Sequence, residues 1–376
     1  MNSKSLRVSI ILPNLYGGGA ERLHILLATH WHMHGIAVEF VLMEERGDLI
    51  SLISEGISIY ALGVNRIRNV PVPLTAYLRR VRPDIILSAM WPLTSVAVLS
   101  WYLSGKCGRL FLSDHVQLSI SCIEELKVSP WQVGMLMRLT YFAADGVIAV
   151  SNGVKKDLCR LSGLPASKVR VIYNPAAIGE KSAPDPRPSK TEIWGAESNY
   201  CILAVGTLKD QKDHATLIRA FALLPVSLKA KLIILGEGPL RRELETLILE
   251  LNLQDSVTLH GFIVDTYPWY RTADLFVLSS KWEGFGNVIV EALECGVQVV
   301  STDCPSDPAE ILQNGRLGRL VPIQDPSALA AGILAAIKAP ISKDLLTGRA
   351  GDFSVGTISA EYLDYFGVSV GNTNDL

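Results

Sequence analysis

Short apolar runs alternate along the chain with longer stretches whose apolar positions recur every three or four residues. Runs at 7–12, 37–43, 57–62, 85–88, 109–113, 146–150 and 169–172 predict buried strands. The stretches 21–34, 73–81, 94–103, 132–143 and 152–161 predict the helices between them. The interval from 174 to 189 holds Pro175, Pro184, Pro186 and Pro188, and then the alternation restarts. Strands are predicted at 201–205, 231–235, 257–260, 275–278 and 297–301, and helices at 215–223, 240–251, 268–272, 288–295 and 326–338. Strands that are apolar at nearly every position suit a parallel sheet covered on both faces, and the intervening helices supply its crossovers. The pattern therefore predicts an α/β protein with two doubly wound Rossmann-like domains. They are expected over 1–175 and 191–352, with 176–190 as a linker. Ligands of such sheets bind beyond the carboxyl ends of the strands, so a cleft between two facing domains is the expected site.

One stretch tests this reading. Residues 85–105 carry no charge and reach the length of a membrane span. Pro92 falls near the middle, and Ser88, Thr94, Ser95, Ser100 and Ser104 interrupt the apolar run. A strand, a turn at Trp91-Pro92 and a buried helix from Thr94 is the expected form. The apolar run at 8–12 is too short for a secretion signal and reads as the first strand.

Composition narrows the function classes. The 376 residues are 49% apolar and 19% charged, which allows large cores and excludes a disordered chain. A formal charge of −2 argues against a nucleic-acid binder. The charge is unevenly divided: residues 1–180 carry 18 Lys and Arg against 13 Asp and Glu, the remainder 17 against 24. The six cysteines form no Cys-x-x-Cys, so neither a zinc knuckle nor a thioredoxin-like motif is present. Buried reduced thiols are expected, as in the cytosol.

Candidate chemistry lies in the loops. Gly17-Gly18-Gly19 leads from the first strand into the first helix, where backbone approaches a ligand closely. Gly236-Glu237-Gly238-Pro239 follows another strand. Neither is a dinucleotide fingerprint, because Arg22 and Arg241 stand where the third glycine belongs. Either also reads as a plain glycine turn. The segment Lys281 to Ala292 runs a loop with Gly284, Phe285 and Gly286 into a helix. The amides of Gly286, Asn287 and Val288 at that helix start suit a phosphate, whereas Glu283 and Glu291 suit sugar hydroxyls. Together they read as a sugar-phosphate site, or as a surface Glu pair at a helix start. The loop Gly206-Thr207-Leu208-Lys209-Asp210-Gln211-Lys212 places lysines to neutralise a diphosphate, or is an ordinary solvated loop. Ser113-Asp114-His115 ends a strand, so His115 either faces substrate or is structural. His30 and His34 would share a helix face, but no Cys or carboxylate cluster lies near them in sequence, and no metal site is expected. No Asp-x-Asp occurs in the chain, so the protein itself is expected to neutralise a diphosphate.

In order along the chain stand GGGAER, SDH, AADGVIAVSNGVKKDL, VIYNP, VGTLKDQKDH, LGEGPLRRELE, LHGF, ADLFVLSSKWEGFGNVIVEALECGVQVVSTDCPSDPAEIL and LVPIQDPSALA. This series resembles the family 4 glycosyltransferases, retaining enzymes of group 1 type with the GT-B fold. The Glu-x7-Glu of Glu283 and Glu291 is the most specific shared mark. The resemblance implies a C-terminal nucleotide-sugar domain, and an N-terminal acceptor domain completed by a last helix at about 353–366.

By the matching positions, Glu291 would hold the ribose and Glu283 the donor sugar. Gly286, Asn287 and Val288, in the loop with Phe285, would face the diphosphate together with Lys212. Gly206, Thr207 and Lys209 would line it, and Gly261 and Phe262 would meet the base. Gly17, Gly18 and Gly19 would border the acceptor side, with His115 near the transferred sugar. Glu283, Lys212 and His115 are the expected catalytic residues. One departure stands out: relatives usually carry Arg where this chain has Thr207, and Lys209 is the available substitute. Relatives also often have glycine before the proline at the position of Asp307.

The expected activity is retaining transfer of a hexose or N-acetylhexosamine, with a UDP-sugar favoured as donor. The acceptor would be a glycan or lipid-linked glycan of cell-surface polysaccharide or lipopolysaccharide biosynthesis. A same-fold epimerase or hydrolase, or a non-catalytic nucleotide-sugar binder, are the alternatives. No cofactor, metal or nucleic-acid partner is expected. Arg66, Arg68, Arg79, Arg80 and Arg82, with no acid among them, read as a solvated basic face or as a surface for anionic lipid. The latter would place the chain in the cytoplasm, peripheral on the inner face of the membrane.

Overall fold

A computed structural model describes residues 6–16, 18–179, 188–195, 199–305 and 308–368. The chain divides into two compact units, Met1–Pro175 with Val355–Leu376, and Ala176–Ser354.

Unit 1 is built on β1 (Arg7–Leu12), β2 (Ala37–Leu42), β3 (Ser58–Ala61), β4 (Ile85–Ala89), β5 (Arg109–Asp114), β6 (Gly146–Ala149) and β7 (Val169–Val171). Between them run α1 (Gly19–Met33), α2 (Pro71–Val81), α3 (Leu93–Leu103), α4 (Leu118–Glu124), α5 (Pro130–Tyr141) and α6 (Asn152–Ser162). Among the described residues the strands form one seven-stranded sheet in the order β3-β2-β1-β4-β5-β6-β7, with every pair parallel. The central strands β1, β4, β5 and β6 are buried on both faces almost throughout, which is why they are largely apolar, whereas the edge strand β3 is part-exposed. One face packs Ile10, Phe40, Leu87, Phe111 and Ile148 in a core shared with Leu27 and Trp31 of α1. The other is covered by α2, α3, α5 and α6, each the neighbour of the next. The uncharged stretch 85–105 resolves into β4, a short turn and α3. Among the described residues no helix is long and apolar enough to cross a membrane.

Unit 2 contains β8 (Tyr200–Val205), β9 (Ala230–Leu235), β10 (Val257–Gly261), β11 (Leu275–Leu278), β12 (Gln298–Thr302) and β13 (Arg319–Val321). Its helices are α7 (Lys190–Trp194), α8 (His214–Ala222), α9 (Arg241–Glu250), α10 (Tyr267–Thr272), α11 (Asn287–Glu294), α12 (Pro308–Ile311), α13 (Pro326–Lys338) and α14 (Lys343–Gly351). The six described strands run parallel in the order β10-β9-β8-β11-β12-β13. The last helix, α15 (Val355–Tyr365), returns to unit 1. There Trp31 Nε1 donates to Ser359 Oγ at 2.9 Å, and the rings of Tyr362 and Phe366 meet Trp31 edge-on.

The stretch expected to be a linker is structured at both ends. Ala176 and Ala177 are buried, and the Ile178 and Gly179 amides donate to Glu294 of α11. Ser189 and Glu192 form a reciprocal cap at the start of α7. Residues 180–187 lie outside the described residues. Helix α9 begins at Arg241, beyond Pro239.

Both sheets reverse their strand order once, at β1/β4 in unit 1 and at β8/β11 in unit 2. Such switch points leave a crevice at the carboxyl ends of the two central strands, where loops diverge to opposite faces of the sheet.

Candidate functional site

In unit 2 the loop after β8 meets the loop after β11. Lys212 ends a short 3-10 turn and bends its aliphatic stem over Gly206, where an added Cβ would stand 3.3 Å from it. Its ammonium donates to Glu283 Oε1 at 2.6 Å, with the side chains only 16% and 6% exposed. Ser280 Oγ donates to the same oxygen at 2.6 Å. Ser279 Oγ holds the Lys212 carbonyl, and the Gln211 side chain and carbonyl bind the Trp282 carbonyl and the Lys281 amide. Two loops far apart in sequence are thereby fixed to each other. A cation and a carboxylate face each other at the strand switch.

Helix α11 follows at once, with Gly286 as its N-cap. The Asn287 amide donates to the Phe285 carbonyl at 2.9 Å, so one of the three amides expected to face a phosphate is turned back on its own loop. Gly286 and Val288 keep their places at the helix start, where the backbone dipole favours an anion. Phe285 is buried against Phe353, so its ring anchors the loop from inside. Glu291 is half-buried on α11 beside Tyr270, whose hydroxyl is held well above its ordinary range by burial and by that carboxylate. Tyr267 donates to Glu294 one helical turn further on.

The glycines after β9 have a structural cause. A Cβ on Gly236 would fall 2.1 Å from the Gly206 carbonyl oxygen, and one on Gly238 2.4 Å from that of Leu208. The Leu208 amide donates to the Glu237 carbonyl, and the Gly236 amide to that of Gly261. Three strand-end loops thus touch backbone to backbone, which only glycine permits. Phe262 follows Gly261 and is 59% exposed. Thr207 is exposed, and the Lys209 amide donates to its carbonyl.

His214 ends the motif Gly206–His214 and opens α8, and the sequence assigns it no role of its own. It is buried against the Gly206–Thr207 backbone. Burial first, and Lys212 second, push its pKa down to about 4, so the ring is neutral beside the ammonium.

Unit 1 places a second polar group at its own strand ends. Gly18 is the N-cap of α1, and a Cβ there would strike the Glu21 carboxylate 2.3 Å away. Glu21 is buried and its pKa is raised by that burial. One turn on, His24 Nδ1 lies 2.6 Å from the Ala20 carbonyl, and its ring meets that of His115 edge-on at 5.3 Å. His115 Nε2 lies 3.0 Å from Ser113 Oγ. Burial holds both imidazoles neutral: His24 drops to about 4 and His115 well below its ordinary value. Beneath them Asp114 is buried, accepts from Tyr141 at 2.8 Å, and is pushed up to about 7 by desolvation. Burial lowers the pKa of a base and raises that of an acid because it disfavours whichever form is charged. Glu21 stands inside GGGAER without a role assigned to it, and His24 lies within the apolar helix; their signal is the helical spacing from the glycine loop. Gly17, Ser306 and Asp307 lie outside the described residues. Gly19 opens α1.

The rings of His30 and His34 lie 4.4 Å apart and tilted by 42° near the end of α1, where His34 Nδ1 lies 2.7 Å from the His30 carbonyl. Among the described residues no cluster of three or more His, Cys, Asp or Glu could hold a metal ion.

Two parallel-sheet units with polar loops at their strand switches define a two-domain, doubly wound α/β protein. The comparisons narrow it. Residues 17–178 match the profile described as Glycosyltransferase Family 4, and residues 199–339 that described as Glycosyl transferases group 1. The chain belongs to this family of group 1, family 4 glycosyltransferases. It is 36% identical over 201 residues, 53% of its length, to the N-acetylgalactosamine-N,N'-diacetylbacillosaminyl-diphospho-undecaprenol 4-alpha-N-acetylgalactosaminyltransferase of Campylobacter jejuni. In three curated relatives matched at 32 to 40% identity, the chain spans 52 to 59% of their length. It is 27% identical to the lipopolysaccharide core biosynthesis glycosyltransferase LpsE of Rhizobium meliloti, over 92% of this chain and 93% of the relative. In fold it is similar to Anabaena HepE, solved in complex with UDP and glucose, with a TM-score of 0.79 and 20% identity. That match covers 96% of this chain and 99% of the other, and it identifies the fold as GT-B.

Proposed function

We propose that the protein is a retaining glycosyltransferase that moves a hexose or N-acetylhexosamine from a nucleotide diphosphate sugar to a glycan or lipid-linked glycan. A UDP-sugar is the favoured donor, and cell-surface polysaccharide or lipopolysaccharide the favoured product. The observation that carries this reading is the buried meeting of Lys212 and Glu283 at the β8/β11 switch, next to the start of α11. The names of the Campylobacter and Rhizobium relatives support a glycan acceptor, and the ligands of HepE support a UDP-sugar.

On this reading unit 2 binds the donor. Glu291 takes the ribose hydroxyls and Glu283 those of the sugar, since each carboxylate oxygen accepts from an alcohol. Lys212 is already oriented by Glu283, so no reorganisation is needed when charge develops on the departing diphosphate. The helix start at Gly286 to Val288 adds backbone amides, and the Asn287 amide must leave Phe285 to join them. Thr207 and Lys209 line the same loop, Gly206 leaves room for the Lys212 stem, and Gly261 with Phe262 receives the base. In unit 1, Gly18, Gly19 and the neutral His115 face the acceptor and the transferred sugar. Transfer proceeds on one face of the sugar with retention. The chain works in the cytoplasm, peripheral on the inner membrane face. No cofactor enters this scheme.

The experiment is a thermal-shift screen of UDP- and GDP-sugars, because a ligand that binds only the folded state raises its stability. Transfer assays on Lys212→Ala and Glu291→Ala follow. A UDP-sugar is expected to shift the melt most, and both variants to lose turnover. Unchanged turnover in both would overturn the assignment. Isomerisation or rapid hydrolysis of donor alone would favour an epimerase or hydrolase, and binding without turnover on any acceptor a binding protein.

A further inference from the structure

Unit 1 carries an apolar layer on its outer helices that stays exposed among the described residues. Helix α5 turns Val133, Gly134, Met137 and Tyr141 inward. Its opposite side is apolar too: Trp131 is 70% exposed, Leu139 74% and the flanking Phe142 47%. The adjoining α3 ends on Leu99, Tyr102 and Leu103, each about half exposed. A helix apolar on all sides is ordinarily buried, and a patch of this kind marks a contact surface.

The charge on the same layer is mostly of one sign. Helix α2 ends on Arg79, Arg80 and Arg82, all exposed, and Lys106 follows α3. Arg138 lies on α5, and Lys155, Lys156 and Arg160 on α6. Across 71–82, 93–106, 130–142 and 152–162 the sole acid is Asp157, which is buried and accepts from the Ser119 amide. The exceptions are Glu124 and Glu125, exposed on and just after α4, which packs against α5 and α6. Lys106 lays its chain over the rings of Trp101 and Tyr102, with Nζ 5.5 and 4.5 Å from their centres. That is how a lysine bridges an apolar surface and a polar one.

We propose that the outer surface of α3 and α5 is a membrane-docking face. Trp131, Leu139, Phe142 and Leu103 enter the acyl boundary of an anionic bilayer, and the flanking cations meet lipid phosphates. A second copy of the chain is a poorer occupant, because a two-fold contact sets this cationic surface against itself. The sequence alone pointed to Arg66, Arg68, Arg79, Arg80 and Arg82 as one face. The structure splits them: Arg66 and Arg68 precede α2, while the other three close it, next to the apolar layer. This deepens the reading of a membrane-borne acceptor. It uses no donor-site residue, and docking is measured without transfer.

Co-sedimentation with phosphatidylglycerol–phosphatidylcholine vesicles tests it, against phosphatidylcholine alone. Binding is expected only to the anionic vesicles, weakened by salt, and about tenfold or more weaker in Leu139→Glu and in Trp131→Ser. Both positions are exposed, so both variants should melt like the wild type and keep the same nucleotide-sugar shift. Absent binding, or variants that bind as the wild type does, would overturn the proposal whatever the transfer assay shows. Self-association abolished by Leu139→Glu, with no vesicle binding, would assign the face to a second copy.

Discussion

Lys212 and Glu283, separated by 71 positions in the chain, share a 2.6 Å charge-assisted hydrogen bond at the carboxyl ends of two neighbouring strands. Lys212→Met strands a carboxylate that is 6% exposed. Losing one partner of such a pair costs about 3 kcal/mol or more of stability. Lys212→Met with Glu283→Leu is expected to recover most of that loss, as read by urea denaturation. Turnover should fall on the order of a hundredfold in either single variant and stay low in the double one, since loss of one positioned donor has that effect. A double variant that recovered turnover would remove Lys212 and Glu283 from the chemistry.

Gly236→Ala is expected to destabilise unit 2 by roughly 2 to 4 kcal/mol, because its Cβ meets backbone rather than a movable side chain. Gly63 is the control. It also has a positive φ, but nothing lies within 4 Å of its added Cβ. Gly63→Ala should cost only about 1 kcal/mol. Equal losses in the two denaturation curves would contradict the close approach of the three loops.

Stability should depend on pH through buried rings. His24 and His214 titrate near 4 when folded, below the ordinary 6.5. Between those values the unfolded chain takes up a proton that the folded chain refuses. Each histidine therefore costs about 1.4 kcal/mol of stability per unit of falling pH in that window. Asp114 acts in the opposite sense. Folding raises it to about 7 from an ordinary 3.8, so its contribution is present at low pH and fades as pH rises through 7. His214→Gln should flatten the pH dependence between about 4 and 6.5 by one proton, and Asp114→Asn should steepen it by one. Denaturation midpoints across that range check both signs.

Tyr362→Ala is expected to cost about 3 to 5 kcal/mol, because its ring is fully buried against Trp31. Trp31→Phe should lose less, about 1 to 2 kcal/mol, for the bond to Ser359 and the smaller ring. The loss should appear in unit 1 by hydrogen exchange and leave the amides of β8 and β11 protected. Exchange rising first in unit 2 would contradict the placement of α15.

The sequence displayed the strands because doubly buried strands are apolar at nearly every position, as β1 and β4 show. It did not display β13, of whose three residues only Val321 is buried, or α14, which buries only Leu346 and Ala350. Glu283, Glu291 and Lys212 were legible as motifs. Their relation was not, because it depends on β8 and β11 lying side by side. The roles of His24 and Glu21 were hidden for a simpler reason: a buried polar residue in an apolar helix leaves the helical period unchanged. The apolar run of α5 predicted a helix, and only the structure showed that half of it faces outward.

The return of α15 to the first unit also orders events during synthesis. Unit 2 is continuous from Ala176 to Ser354, so all of its strands have emerged before α15 is made. Unit 1 has its sheet by Val171, yet Trp31 lacks Ser359, Tyr362 and Phe366 until the ribosome has passed them. For most of translation the earlier unit carries an uncovered aromatic groove while the later one closes.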